Sequence, residues 1–242
     1  NKVMKINLSV SVFIIFMFAA LNTSAQNDTR IIREVACSIN DGYAMSDVVE
    51  FARNIDWRDT APAGVFLREA YAVSGDFQDN WDFIFGGMFE NFQDMAANIR
   101  AQRSRAGGRE GEGFADMITC SASPRVSLIL QANDVGDLFE DSETTAMAVM
   151  GCRLNDGTVA DAFARASQLG QNMDAYAAVS NRIFGGPVPE SPSVGIRMVF
   201  PSGEFGSTMD SVIASGPPNQ PNDGLECRGG SLWLVHRIHS AN

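Results

Sequence analysis

The sequence predicts an α+β fold made of two tandem βαββαβ repeats, and three observations support this prediction. The segment Cys37-Ser-Ile-Asn-Asp-Gly42 returns as Cys152-Arg-Leu-Asn-Asp-Gly157. The same order of strand-like and helix-like patterns follows each copy. The composition, with 45% hydrophobic and 19% charged residues, is typical of a packed globular chain. An internal duplication therefore organises the chain.

Each element follows from its hydrophobic period, because strands alternate and helices repeat every three or four residues. The first repeat contains, in chain order, a strand over 31–36, a helix from 48 to 55, strands over 65–73 and 81–85, a helix from 92 to 99 and a strand over 126–130. The second repeat contains a strand over 146–151, a helix from 159 to 169, strands over 175–184 and 194–200, a helix from 209 to 213 and a strand over 232–235.

Each Asn-Asp-Gly segment lies at a strand-to-helix turn. Its glycine is expected to supply the positive φ angle that such a turn requires. In the second copy, Thr158 and Asp161 have the spacing of a capping box, which predicts the start of the following helix.

The predicted domain organisation has four segments. Residues 1–25 form a signal peptide, because a lysine, an apolar run over 10–21 and small residues at Thr23 and Ala25 are typical of one. Residues 26–130 and 146–242 are the two repeats, and an acidic connector over 131–145 joins them. The apolar run is too short to cross a bilayer. The sequence thus predicts a periplasmic or secreted protein that has no membrane contact after the leader is removed.

Charge and residue usage argue against several function classes. Both lysines, Lys2 and Lys5, lie in the predicted leader, which leaves 16 arginines against 29 acidic residues. This acidic balance argues against a nucleic-acid partner. The predicted mature chain also has no lysine. This excludes chemistry that needs one, such as a Schiff base, a pyridoxal anchor or the lysine of a phosphate-binding loop.

Four cysteines allow three disulfide pairings. In a repeat with ferredoxin-like strand order, the first and last strands are antiparallel neighbours. The cysteines of each repeat lie near these strands, which predicts the pairs Cys37–Cys120 and Cys152–Cys227. A zinc site is the alternative, but the sequence has no Cys-x-x-Cys pair and an oxidising compartment favours disulfides.

Some strands are apolar at consecutive positions, as in 83–85 and 232–235. Both faces of such strands need cover, and helices cover only one. The other face is expected to pack against the sister sheet. The predicted architecture is therefore two tandem ferredoxin-like βαββαβ repeats packed sheet to sheet as a pseudo-dimeric α/β barrel within one monomeric chain.

The element order and the segment from Trp81 to Met95 resemble the dimeric α/β-barrel superfamily, here in its tandem single-chain form. The doubled Cys-x-apolar-Asn-Asp-Gly segment resembles exported marine bacterial proteins that have no assigned activity. The superfamily includes cofactor-free monooxygenases, haem-degrading oxygenases and haem peroxidase relatives. A haem-degrading member is expected to carry a histidine on the second helix of a repeat, which this chain lacks, and Phe89 stands where the superfamily has tryptophan. The resemblance therefore implies a fold, but no catalytic residue.

Three arginines, Arg68, Arg182 and Arg197, fall within otherwise apolar strands. A charged side chain in such a strand needs an acidic partner or an anionic ligand. The functional interpretation is a pocket that binds a carboxylate. His236, which the predicted last strand turns into the barrel, and Trp81, at the start of a strand, complete the predicted ligand-binding set.

The residues leave two functions open. The main prediction is an exported, disulfide-braced module that binds an unknown small molecule or protein without catalysis. The alternative is a cofactor-independent monooxygenase or isomerase of the dimeric α/β-barrel type, which a convergent set of titratable groups in one apolar pocket would favour. Self-association is a third interpretation. No metal and no cofactor is predicted.

Overall fold

The computed structural model describes residues 29–57, 62–73, 80–105, 112–133, 144–185, 193–201, 203–214 and 224–240. The predicted leader, most of the predicted connector and most of the predicted polar hairpin over 75–80 lie outside these residues.

The described residues form nine strands and five helices, so the protein is mostly sheet. The strands are β1 (Thr29–Ile39), β2 (Gly64–Ala72), β3 (Phe83–Phe89), β4 (Ile118–Cys120), β5 (Arg125–Gln131), β6 (Thr144–Leu154), β7 (Tyr176–Phe184), β8 (Ser193–Pro201) and β9 (Leu225–Ser240). The helices are α1 (Met45–Arg53), α2 (Phe92–Arg105), α3 (Glu112–Met117), α4 (Val159–Met173) and α5 (Phe205–Ala214). None of these helices is long and apolar enough to cross a membrane.

The strands form a single closed sheet. Around the barrel the order is β3-β2-β9-β6-β8-β7-β5-β1, and an antiparallel pairing of β1 with β3 closes this ring of eight strands. The remaining strand, β4, pairs with the end of β1 that β5 does not reach. Every pairing is antiparallel.

The predicted fold class is wrong. In place of two ferredoxin-like βαββαβ repeats packed sheet to sheet, the structure has one closed antiparallel barrel with few helices. The pairings β2–β9 and β5–β7 join the two halves of the chain edge to edge. The physical reason is that two separate sheets would leave four strand edges with unpaired N–H and C=O groups, whereas closure pairs these edges.

Side-chain alternation gives the barrel an outer and an inner apolar layer. Outside, helices cover the sheet, as where α1 packs Val48 against Leu67 and Phe83. Inside, one end of the barrel is filled by a cluster of Ile32, Ile129 and Ala178, with Phe66 and Met88 packed against it. The consecutive apolar residues of the strands are therefore buried on one side by helices and on the other by the barrel interior.

Both predicted disulfides are present. Cys37–Cys120 joins β1 to β4, and Cys152–Cys227 joins β6 to β9. The two cysteines of each pair face each other in register, with Cα–Cα distances of 4.0 and 3.9 Å. The four thiols are thus committed to disulfides and supply no zinc ligand.

The two Asn-Asp-Gly turns differ in their backbone. Gly42 has the expected positive φ, at 92°, whereas Gly157 is not among the described glycines with positive φ. The Gly157 N–H instead donates to the Gly224 carbonyl oxygen at 3.2 Å. The predicted capping box is present, because Asp161 Oδ2 accepts from the Thr158 N–H at 2.7 Å and the Asp161 N–H donates to Thr158 Oγ1 at 3.3 Å.

Candidate functional site

A cavity of about 1440 Å³ occupies one end of the barrel. The apolar cluster around Ile32 fills the interior below it, and the exposed residues Arg125 and Phe184 mark its mouth. All eight strands of the closed ring contribute to its wall. The lining residues that carry the argument are, in chain order, Glu34, Arg68, Ile84, Arg125, Val149, Arg182, Arg197 and Trp233.

Glu34 on β1 is the centre of a buried ion-pair network. Its Oε1 lies 2.8 Å from Arg68 Nη2 and accepts a hydrogen bond from Arg197 Nη1 at 2.9 Å. Its Oε2 accepts from Arg197 Nη2 at 3.2 Å. Glu34, Arg68 and Arg197 are only 6, 5 and 9% exposed. The Nε donors of both arginines are buried and have no hydrogen-bond partner among the described residues. Buried N–H donors without a partner are rare in protein interiors.

The network keeps the Glu34 carboxylate ionised. Burial alone would raise its pKa, but the charges of Arg197 and Arg68 and the hydrogen bond from Arg197 lower it from the usual 4.5 to about 2. Burial lowers the pKa of Arg68 to about 10, against the opposing effect of Glu34. Glu34 and Arg68 are therefore charged at neutral pH, and Glu34 is a poor proton acceptor there.

Two further arginines of the lining lie nearer the mouth of the cavity, where they are exposed. Arg125 on β5 faces Glu34 in register, and Arg182 on β7 faces Ser127. Partial burial lowers the pKa of Arg182, and the nearby charge of Arg125 lowers it further, while Glu34 raises it. The complete lining has five arginines and two glutamates, a net charge of +3, in a chain whose net charge is −11. The cavity therefore concentrates positive charge in an acidic protein.

The lining also contains a buried apolar cluster beside Arg68. Ile84 and Trp233 belong to one buried cluster, against which Val149 packs. The Trp233 ring has Arg68 Cζ 5.0 Å from its centroid, which is a cation–π contact, and its Nε1 donates to Ser231 Oγ at 2.8 Å. The indole is therefore fixed in place with its polar atom already satisfied.

The structure brings together four of the five predicted ligand-binding residues. Arg68, Arg182, Arg197 and Trp81 all line the cavity. Two of these arginines have the acidic partner that the sequence allowed as an alternative to a ligand, and it is Glu34. Ligand binding by the set stays a prediction.

His236, the fifth predicted residue, lies outside the cavity lining. It pairs in register with Leu67, which packs under α1, whereas the adjacent Val235 packs inside the barrel. His236 Nε2 is 2.9 Å from Glu69 Oε2, and its Nδ1 is 3.4 Å from Thr144 Oγ1. These contacts connect β9 to β2 and β6 on the outer surface.

Sequence reasoning missed Glu34 and Arg125 as members of the site. The sequence did contain a signal for Glu34. It lies two residues from both Ile32 and Ala36, so all three side chains share the inward face of β1. No comparable signal marked Arg125, which begins β5 and is exposed. Its place in the site depends on the register of β5 with β1.

The chemistry available in the cavity is that of guanidinium donors. Within the described ranges, no group of three or more His, Cys, Asp or Glu side chains is arranged to hold a metal ion. The cysteine in the lining, Cys152, is in a disulfide. Fixed positive charge and N–H donors are suited to binding an anion or to stabilising negative charge that develops on a bound molecule.

No protein-family model and no curated protein sequence matches the chain. Several solved structures are similar to it. An anthrone oxidase-like protein has 10% identity and a TM-score of 0.45, with 89% of this chain and 94% of that chain covered. A chlorite dismutase variant from Candidatus Nitrospira defluvii has 9% identity and a TM-score of 0.44, with coverage of 88% and 94%. A dye-decolorizing peroxidase from Bacteroides thetaiotaomicron has 9% identity and a TM-score of 0.41, with coverage of 89% and 94%.

At such identities and TM-scores, the similarity carries no inference about the activity of this chain. Two statements from the sequence stay predictions: the tandem single-chain form of the dimeric α/β-barrel superfamily, and the resemblance to exported marine bacterial proteins. The function is therefore argued from the cavity.

Proposed function

We propose that this protein binds a small organic anion inside its barrel. The observation that carries the proposal is the charge of the cavity lining, where five arginines face two glutamates in an otherwise acidic chain. Arginine presents several N–H donors in a planar fork that matches the geometry of a carboxylate. A bound anion would offset the excess charge.

The buried arginines supply a second reason. Glu34 occupies the Nη atoms of Arg197 and one Nη atom of Arg68, yet the Nε donors of both stay without a partner. Buried unsatisfied donors are rare in folded proteins because they lose hydrogen bonds to water. An acceptor oxygen on a ligand would satisfy donors that the protein itself leaves open.

The compartment is part of the same proposal. The two disulfides support an oxidising location, because such bonds persist mainly outside the cytosol. We therefore propose a location in the periplasm or outside the cell. We also propose that the protein is a monomer that takes a small molecule directly from its surroundings. Edman sequencing of the exported protein tests the predicted removal of residues 1–25.

Isothermal titration calorimetry tests the binding function. Acetate, succinate, benzoate and inorganic phosphate are the probes, and at least one of the organic acids is expected to bind. Arg125→Met, at the mouth, is expected to weaken that binding at least about tenfold, since one charge-assisted hydrogen bond is worth about 1.5–3 kcal/mol. Arg100→Met, on the exposed surface of α2, is the matched control and is expected to have no effect. Equal binding by wild type and Arg125→Met would contradict the proposal.

An enzyme that acts on the bound anion is the second candidate, in the form of a cofactor-independent monooxygenase or isomerase. One observation favours it, namely the convergence of Glu34, Arg68 and Arg197 inside a largely apolar barrel. Guanidinium groups at such a site can stabilise an enolate or another oxyanion. Exchange of carbon-bound protons on a bound acid in D₂O, followed by NMR, tests this role. Binding without exchange, oxygen consumption or isomerisation favours the non-catalytic module.

A further inference from the structure

The cavity lining combines arginines with apolar side chains, and their arrangement follows from the strand order. The neighbouring strands β5, β7 and β8 carry Arg125, Arg182 and Arg197. The rest of the ring carries Val149 on β6, beside Arg197 in register, then Trp233 on β9 and Ile84 on β3, with Arg68 on β2 between the last two. A molecule in the cavity thus meets three guanidinium groups on neighbouring strands and, directly beside them, the apolar side chain of Val149.

The apolar side chains of Val149, Trp233 and Ile84 have no free polar atom that could hydrogen-bond a ligand. Trp233 is held on one side by Arg68, and its only polar atom donates to Ser231 Oγ. Val149 and Ile84 have no polar side-chain atoms. Trp233 and Ile84 are only 6 and 7% exposed, whereas Val149 is half-buried. An inorganic anion or a two-carbon acid bound at the arginines would leave the exposed part of Val149 in contact with water, which is unfavourable for apolar surface.

The size of the cavity also favours a ligand larger than an inorganic anion or a two-carbon acid. Its volume of about 1440 Å³ includes the open mouth and space at the rim beside Val159, and it leaves ample room for an organic molecule. The cluster around Ile32 fills the barrel below the Glu34 network, so the open space lies between the network and the mouth. A ligand that fills this space needs a bulky body.

We propose that the ligand is a carboxylic acid with a bulky apolar body, whose carboxylate faces Arg125 and Arg182 and whose body packs on Val149 and Trp81, two half-buried apolar residues of the lining. This inference rests on the proposed anion-binding function and specifies its ligand class. It separates the ligand from inorganic anions, which lack the body, and from neutral apolar molecules, which lack the charge.

Calorimetry with five probes tests the ligand class. We expect 2-naphthoate and cyclohexanecarboxylate to bind at least about tenfold more tightly than acetate, because burial of their apolar surface adds to the charge contacts. Sulfate is expected to bind no better than acetate. The neutral analogue 2-naphthylmethanol is expected to bind at least about tenfold more weakly than 2-naphthoate.

Variants test the orientation. Val149→Ser is expected to weaken 2-naphthoate at least about threefold and to leave acetate unchanged, because Val149 contacts only the body of the ligand. Val35→Ser is the matched control, since Val35 is a half-buried valine on the outer surface of β1. Circular dichroism checks that each variant folds. If Val149→Ser does not fold, Trp81→Leu at the cavity wall takes its place with the same expectation.

The outcomes separate the two proposals. Acetate or sulfate binding as tightly as 2-naphthoate would overturn the ligand class and leave the anion-binding function intact. Equal binding of 2-naphthoate and 2-naphthylmethanol would overturn the anion-binding function, and the ligand class with it. No binding of any acid to the wild-type protein would also overturn both. Equal effects of Val149→Ser and Val35→Ser on 2-naphthoate would overturn the proposed orientation.

Discussion

Arg197 on β8 forms a two-point ion pair with Glu34 on β1, at 2.9 and 3.2 Å, although 163 residues separate them in the sequence. The strands β7 and β5 lie between them in the ring, so the pair spans the interior of the barrel. It connects the two halves of the chain independently of the backbone pairings at their edges. Glu34 is therefore both a structural link and part of the cavity lining.

Replacement of Glu34 by glutamine is expected to lower the free energy of unfolding by about 3–5 kcal/mol. The variant keeps the shape of the side chain but leaves two buried guanidinium groups without their counter-charge. Urea unfolding measures the change. Glu90→Gln, at an exposed position after β3, is the control and is expected to shift stability by no more than about 0.5 kcal/mol. Similar losses in both variants would show that the buried network contributes no more to the free energy of unfolding than an exposed carboxylate does.

The same carboxylate predicts how stability depends on pH. The pKa of Glu34 is about 2 in the folded protein and near 4.5 when it is exposed to water. The stabilisation is therefore complete above about pH 4.5 and is lost progressively as the pH falls toward 2, because the unfolded chain takes up the proton first. Urea midpoints measured between pH 7 and 2.5 are expected to fall more steeply for wild type than for Glu34→Gln. Parallel curves would contradict this assignment.

Glu34 also limits how strongly the cavity attracts an anion. Removing its charge raises the net charge of the lining by one and frees the Nη donors of Arg197 and Arg68 from a carboxylate. Glu34→Gln is therefore expected to bind 2-naphthoate about tenfold more tightly than wild type, provided that circular dichroism shows a folded variant. Arg197→Met, which removes a donor, is expected to have the opposite effect. Weaker binding by Glu34→Gln would show that the carboxylate positions the arginines for the ligand.

The disulfides are expected to contribute similar amounts to stability. They close segments of 83 and 75 residues, and in the chain-entropy model each is worth about 4 kcal/mol. Double replacement of Cys37 and Cys120 by alanine, or of Cys152 and Cys227, is expected to lower the free energy of unfolding by about 2–5 kcal/mol. Arg165 Nη1 donates to Cys227 Sγ at 2.9 Å, so the second variant also loses a contact. Urea unfolding of both variants, beside wild type with and without reductant, measures these losses.

Local patterns in the sequence were sufficient to locate most strands and helices and to pair the cysteines. Cys37 and Cys120 could be paired because both lie on neighbouring strands of one half. The closure of the barrel was not predictable, since alternation in β2 and β5 does not specify which distant edge each strand joins. The same limit applies to the site. A charged residue such as Arg197 is conspicuous in an apolar strand, but its partner Glu34 depends on the closed ring.

Gly86 on β3 provides a test of the packing that fills the closed end of the barrel. It faces Phe66 on β2 in register, and an added Cβ would overlap the Phe66 ring. Gly86→Ala is therefore expected to lower the free energy of unfolding by about 1–3 kcal/mol. Gly230→Ala, where an added Cβ meets nothing within 4 Å, is the control.

The double variant Gly86→Ala/Phe66→Leu distinguishes overpacking from a backbone effect. Phe66→Leu alone removes part of a ring from the apolar cluster and is expected to be destabilising as well. In the double variant the smaller side chain makes room for the new methyl group, so the combined loss is expected to be at least about 1 kcal/mol smaller than the sum of the single losses. Additive losses, measured by urea unfolding, would assign the cost of Gly86→Ala to the strand backbone, and the contact with Phe66 would then have no role in excluding a side chain.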